Sequence, residues 1–144
     1  MSEQLAIVKG LYEAFSRGDI PAILDCLADD IQWEPWADNT AQTAGVPWLL
    51  PRTGKAGVLE FFQIVGTLKV SDFRVLSLMA GENQVAAEIE IVTERFRDEE
   101  CHLWRFNDAG KIDRMRHYVD TAKHAAASAG SAQAGGHSYQ ISIS

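Results

Sequence analysis

The sequence predicts an α+β fold, a curved antiparallel sheet packed on three N-terminal helices. Amphipathic helical spacing marks three segments in the first 65 residues, and strand-like runs separated by turns fill residues 69–120. Helices first and a run of strands afterwards is the order of an architecture with its helices on one face of the sheet.

In the first helix Leu5, Val8, Leu11, Tyr12 and Phe15 fall at i, i+3, i+4 spacing, with Ser2 available as N-cap. Gly18 ends it. Asp19 caps the second helix, with Pro21 in its first turn, Ile23, Leu24 and Leu27 on its buried face, and Asp29-Asp30 at its close. Residues 31–34 read as a short strand stopped by Pro35. The third helix, residues 55–65, has Thr53 as a possible cap and turns Val58, Leu59, Phe62 and Val65 inward. Strands follow at about 69–80, 84–96, 99–106 and 111–120.

Between them lies PWADNTAQTAGVPWLLPRTG, residues 35–54, longer than the roughly 12–15 residues beyond which structureless loops become uncommon. Trp36, Trp48, Leu49 and Leu50 make it too apolar for a linker. It should pack over something. The chain of 144 residues reads as one domain, residues 1–124, and a small-residue tail, residues 125–144, whose composition is that of a flexible end. Within the tail SYQISIS alternates, so residues 138–144 should be extended.

Composition excludes several functions. The net charge is −7 with no Lys/Arg cluster, which argues against nucleic acid and anionic membranes as partners. No apolar stretch approaches the roughly 20 residues that span a bilayer, and the N-terminus lacks the pattern of a signal peptide. Two cysteines without CxxC spacing fit a reducing cytoplasm. TGKAG is not a phosphate-binding loop, because the required upstream glycine position is Leu49. The four histidines lack metal-site spacing, so neither a metal nor a cofactor is expected.

Chemistry concentrates in HLWRFNDAGKIDRMRHYVD, residues 102–120, which reads as a β-hairpin. Asp108-Ala109-Gly110 suits a three-residue loop with Gly as a bulge. Phe106 then faces Ile112, Trp104 faces Arg114 and His102 faces Arg116. That register puts His102, Trp104, Arg116, Tyr118 and Asp120 on one face. A four-residue loop or one further bulge would bring His117 in and turn Asp120 out.

These segments resemble the nuclear transport factor 2-like superfamily, and within it the SnoaL-like polyketide cyclase and ketosteroid isomerase branch. The resemblance rests on LYEAFSRGDIPAILDCLADDIQWE, TGKAGVLEFF and HLWRFNDAGKIDRMRHYVDT, and covers about residues 3–124. It implies a cone with an apolar pocket, and a homodimer. It also implies an enzyme without cofactor that acts on a small, largely apolar carbonyl compound by general acid/base proton transfer, with isomerisation, cyclisation or dehydration as the outcome. Non-catalytic binding of a small hydrophobic ligand is the alternative. Epoxide hydrolysis is a lesser one, because the Arg-x-Asp pair of the limonene epoxide hydrolases has no match in AAEIEIV.

The family's carboxylate base before proline corresponds to Glu34-Pro35, and its general base at the end of the last strand to Asp120. The isomerase tyrosine falls at Leu11, next to Tyr12, and the protonated aspartic acid falls at His102. The expected catalytic groups are therefore Asp120 or Glu34 as base and His102 as enolate stabiliser. Asp120 can equally be an N-cap for the residues after it. Tyr12, Trp33, Trp36, Trp48, Phe62, Trp104, His117 and Tyr118 are the expected pocket wall, with His117 facing either pocket or dimer surface. Val75, Ile89 and Ile91 are the expected apolar residues of a dimer-forming sheet face.

Overall fold

The computed structural model describes residues 2–36 and 38–134. SYQISIS lies outside the described residues. Helix α1, Glu3–Ser16, starts where Ser2 accepts a hydrogen bond from the Leu5 N–H at 3.0 Å. Gly18, at φ 69°, turns the chain into α2, Ile20–Asp25, capped by Asp19. Strand β1, Leu27–Trp33, begins four residues earlier than the sequence suggested. Asp29 and Asp30 lie in it because Leu27 and Ile31 are buried and the acids between them face water.

The irregular stretch holds the short helix α3, Thr40–Thr43, a 3-10 turn at Pro47–Leu49, and the two-residue strand β2, Arg52–Thr53. Helix α4, Gly54–Val65, has a different phase from the expected one: Phe61 is buried and Leu59 exposed. Thr53 makes no capping bond and donates instead to the Gln32 side chain.

Strands β3, Val70–Ala80, β4, Gln84–Thr93, β5, Arg97–Phe106, and β6, Ile112–Tyr118, complete a six-stranded sheet in the order β2-β1-β6-β5-β4-β3. All neighbours are antiparallel except β1 and β6, which run parallel. Irregular register between Val70 and Asp72 and between Val75 and Ser77 bends β3, and such bulges curve a sheet around its helices. The inner face buries Ile31, Ile89, Ile112 and Met115 against Val8 and Ile23 of the helices. Each such side chain stabilises the fold by about 1.5–3 kcal/mol.

Two expectations need correction. Ile89 and Ile91 point inward, Ile89 fully buried and Ile91 lining the internal cavity, so they form no outer apolar face. The outer face of β3–β5 instead carries an ion pair set in which Glu90 joins Arg74 and Arg97. Residues 125–134, read as part of a flexible tail, continue helix α5, Thr121–Ala134, which buries His124 and Ala127. Among the described residues no helix is long and apolar enough to cross a membrane.

Candidate active site

A cavity of about 80 Å³ lies between the inner sheet face and helices α1 and α4, the size of a few waters or one small ring. Its wall is aromatic and aliphatic apart from one set of polar groups: Tyr12, Glu100, His102, His117 and His124, with the indoles of Trp33, Trp48 and Trp104.

Strand pairing explains this set. The hairpin turn is the expected one, with Asn107 N–H bonded to Lys111 O and Gly110 at φ 79°. One further bulge then follows: Phe106 pairs with Ile112 but Arg105 pairs with Arg114, leaving Asp113 extra. Every residue beyond it shifts by one, so His102 pairs with His117 and not with Arg116. The two imidazoles meet edge to face with ring centres 4.4 Å apart. Tyr118 pairs with Cys101 on the outer face, where it packs on Trp36 with ring centres 5.0 Å apart. Tyr118 and Trp36 are therefore absent from the cavity wall. Tyr12, Trp33, Trp48, Phe62, Trp104 and His117 all line it.

Glu34 ends β1 in the left-handed region, at φ 56°, and is fully buried. A non-glycine residue held there is a local strain that clusters at functional sites. The turn carries its carboxylate under His117, where Oε1 accepts from the backbone N–H and from Nδ1, both at 2.5 Å. Nδ1 so engaged leaves the His117 Nε2 lone pair unused, since Nε2 has no hydrogen-bond partner among the described residues.

The second polar region is a chain of bonds. Indoles only donate, which fixes its direction at both ends. Trp104 Nε1–H donates to the Tyr12 oxygen at 3.1 Å, and Tyr12 O–H donates to His102 Nδ1 at 2.7 Å. His102 Nε2–H then reaches Glu100 Oε1 at 3.0 Å. From the other end Trp48 Nε1–H donates to His124 Nδ1 at 2.9 Å, and His124 Nε2–H lies between Asp98 at 2.8 Å and Glu100 at 3.2 Å. Burial holds the Tyr12 hydroxyl well above its ordinary pKa. Burial, reinforced by His117, lowers His102, so its imidazole is neutral. Burial opposes ionisation of Glu100, but the bonds from His102 and His124 outweigh it and hold the carboxyl well below the usual range. Burial likewise opposes charge on His124, while Glu100 and Asp98 raise it. Its second proton would have to enter at Nδ1, where the Trp48 N–H already points. The hydrogen bonding fits the neutral Nε2–H form.

Asp98, Glu100 and His124 bring ligand-type atoms within 4.8 Å of one another. A cation there would need the Nε2 lone pair, and Trp48 keeps a proton on that nitrogen. Asp120 is exposed and accepts from the Lys123 N–H at 3.1 Å, the N-cap of α5, outside the cavity wall. Asp98, Glu100 and His124 were not picked out from the sequence. The signal was period-two alternation: in RDEECHLW, residues 98, 100, 102 and 104 share the face of Trp104.

A family model described as the SnoaL-like domain matches residues 8–115. No curated protein sequence matches the chain significantly. Among solved structures, an NTF2-like protein of unknown function from Burkholderia pseudomallei superposes with TM-score 0.68 at 23% identity, covering 85% of this chain and 95% of that one. TerC, co-crystallised with polyporic acid, gives TM-score 0.68 at 21% identity over 89% of this chain and 99% of its own. A Kribbella flavida protein provisionally assigned as a ketosteroid isomerase gives TM-score 0.63 at 19% identity over 82% and 78%. At these identities the structures speak for the fold, which is the NTF2-like cone. The family match covers most of the sequence, and the chain belongs to the SnoaL-like domain family.

Proposed function

We propose that the protein is a cofactor-independent enzyme that moves a proton on a small, largely apolar carbonyl compound, with isomerisation, cyclisation or dehydration as the outcome. One observation carries this reading: an imidazole oriented by a buried carboxylate, with its other nitrogen unused, stands in an apolar cavity beside a second imidazole. Such a pair is the arrangement of a general base and its orienter. His117 Nε2 takes a proton from the carbon next to the carbonyl, and Glu34 stabilises the imidazolium that forms. Tyr12, whose hydroxyl proton is shared with His102, is placed to return a proton at another position. Membership of the SnoaL-like family supports the reading, as does the likeness to a protein crystallised with polyporic acid and to one provisionally assigned as an isomerase.

The test is exchange of the acidic C–H of small ketones in D2O, followed by proton NMR. Wild-type protein should catalyse it and His117→Asn should not. Ketones that bind without exchange would leave the second reading, non-catalytic binding of a small hydrophobic ligand, which the mainly apolar wall favours. For the assembly we infer a homodimer. Leu76 and Met79, 46% and 54% exposed on edge strand β3, are its apolar contact. Sedimentation at micromolar concentration should show a dimer that Met79→Lys dissociates. Cys26 and Cys101 are both free thiols, which supports a reducing, cytoplasmic setting.

A further inference from the structure

Among the described residues, the donors of the cavity's polar wall are engaged with one exception. The N–H groups of Trp104 and Trp48, the Tyr12 hydroxyl, and the protonated nitrogens of His102, His124 and His117 all have acceptors. The exception is Trp33. Its indole lines the cavity, the residue is 1% exposed, and its Nε1–H is buried without a hydrogen-bond partner. Buried donors are almost always satisfied, so an orphan of this kind calls for a partner that arrives from outside. The indole ring centre is 6.0 Å from that of His117 and 5.8 Å from that of Trp104, between the base and the Tyr12 end of the wall.

We propose that the Trp33 indole N–H is the donor that binds the substrate's carbonyl oxygen. The inference rests on the proton-transfer reading of the cavity and makes its ligand more specific. His117 supplies an acceptor for one acidic hydrogen and Trp33 a donor for one oxygen. The remaining wall is apolar or internally bonded. The ligand is thus a small cyclic or branched ketone with one carbonyl, one acidic C–H beside it, and no further polar group inside the cavity. As the C–H bond breaks, its proton goes to His117 Nε2 and its electron pair becomes the enolate C=C bond. The former C=O π pair comes to rest on oxygen. An N–H held in a mainly apolar wall meets that charge as it develops. His102, whose two nitrogens are engaged by Tyr12 and Glu100, is left to hold the Tyr12 proton.

The four indole N–H groups are separately visible in proton–nitrogen correlation spectra, and Trp33→Phe assigns the signal of interest by removing it. With cyclohexanone the Trp33 signal should move downfield while those of Trp48 and Trp104 hold still. Methylcyclohexane, which fills the same space without an acceptor, should leave it in place. Trp33→Phe should bind cyclohexanone about tenfold more weakly and methylcyclohexane unchanged. The proposal is overturned if cyclohexanone perturbs the cavity methyls but not Trp33, if both probes move it equally, or if cyclohexanone binds nowhere in the cavity. Where the variant fails to fold, triple-resonance assignment of the wild-type indole signals identifies Trp33, and the wild-type spectra then decide this alone. C–H exchange with a silent Trp33 would retain the proton-transfer reading and remove this donor. A shifted Trp33 without exchange would do the reverse.

Discussion

The two ends of the cavity's polar wall use the same residue types to different effect. At one end the Glu34 carboxylate bonds His117 alone, through one oxygen, and its Oε2 has no partner. At the other end Glu100 takes His102 on one oxygen and His124 on the second, and both nitrogens of each imidazole are engaged. An imidazole tied at one nitrogen is oriented and still has a lone pair to use. An imidazole tied at both is a strut that joins strands, helix α1 and helix α5. Burial and residue type are alike at the two ends. The number of hydrogen bonds already made is what separates a reactive histidine from a structural one.

The largest effect that can break this comparison is on turnover. His117→Asn keeps a side-chain N–H for Glu34 and loses the second nitrogen. It should lower the rate of C–H exchange by about 10²–10⁴-fold, the usual contribution of a general base, with little change in melting temperature. An exchange rate close to wild type would put His117 among the struts.

Next comes stability at the other end. Glu100→Gln replaces an acceptor of two bonds by a group that must present N–H to one of them. Two charge-assisted bonds are worth together about 3–6 kcal/mol, and the variant should lose most of that in urea unfolding. The sign with pH follows from the lowered carboxyl. Its folded pKa lies below the unfolded value of about 4.3, so its stabilisation is present above that pH and lost as pH falls through the folded value. The variant should therefore show a flatter fall in stability below about pH 4. Equal acid sensitivity in the two proteins would mean that other carboxylates set it.

Tyr12→Phe should have a smaller effect. It leaves His102 Nδ1 and Trp104 Nε1–H buried without partners, at a cost of about 1–3 kcal/mol each. If Tyr12 returns the proton, C–H exchange should survive in this variant while net conversion to product falls. Loss of both together would assign Tyr12 to proton abstraction.

Much of the fold was legible because it is written in local pattern. Leu5, Val8, Leu11 and Tyr12 mark α1, Ser2 and Asp19 cap where expected, and Asp108-Ala109-Gly110 makes its turn. The candidate site was less so. A bulge at Asp113 depends on how the whole sheet curves, and no local preference of that residue announces it. That single extra residue decides which of His117 and Tyr118 looks inward. His124 was hidden for another reason: its helix has few large apolar residues, and Asp98, Glu100 and Trp48, which hold it, are distant in sequence.

The smallest predicted effect concerns Asp120, the residue that the family position made a candidate base. Its Oδ1 accepts the Lys123 N–H at 3.1 Å, and the side chain stands at the surface beyond the end of β6. An N-cap carboxylate replaced by alanine costs about 1 kcal/mol, while asparagine caps nearly as well as aspartate. Asp120→Ala should thus lower the stability of the fold by about that amount, and Asp120→Asn should change it by a few tenths at most. Neither should alter C–H exchange, because neither touches the lone pair on His117. The asparagine variant is the sharper probe, since it keeps the cap and removes only the ability to take a proton. Abolished exchange in that variant, with an unchanged melting temperature, would return the base to the end of the last strand and leave the Glu34–His117 pair as one more strut.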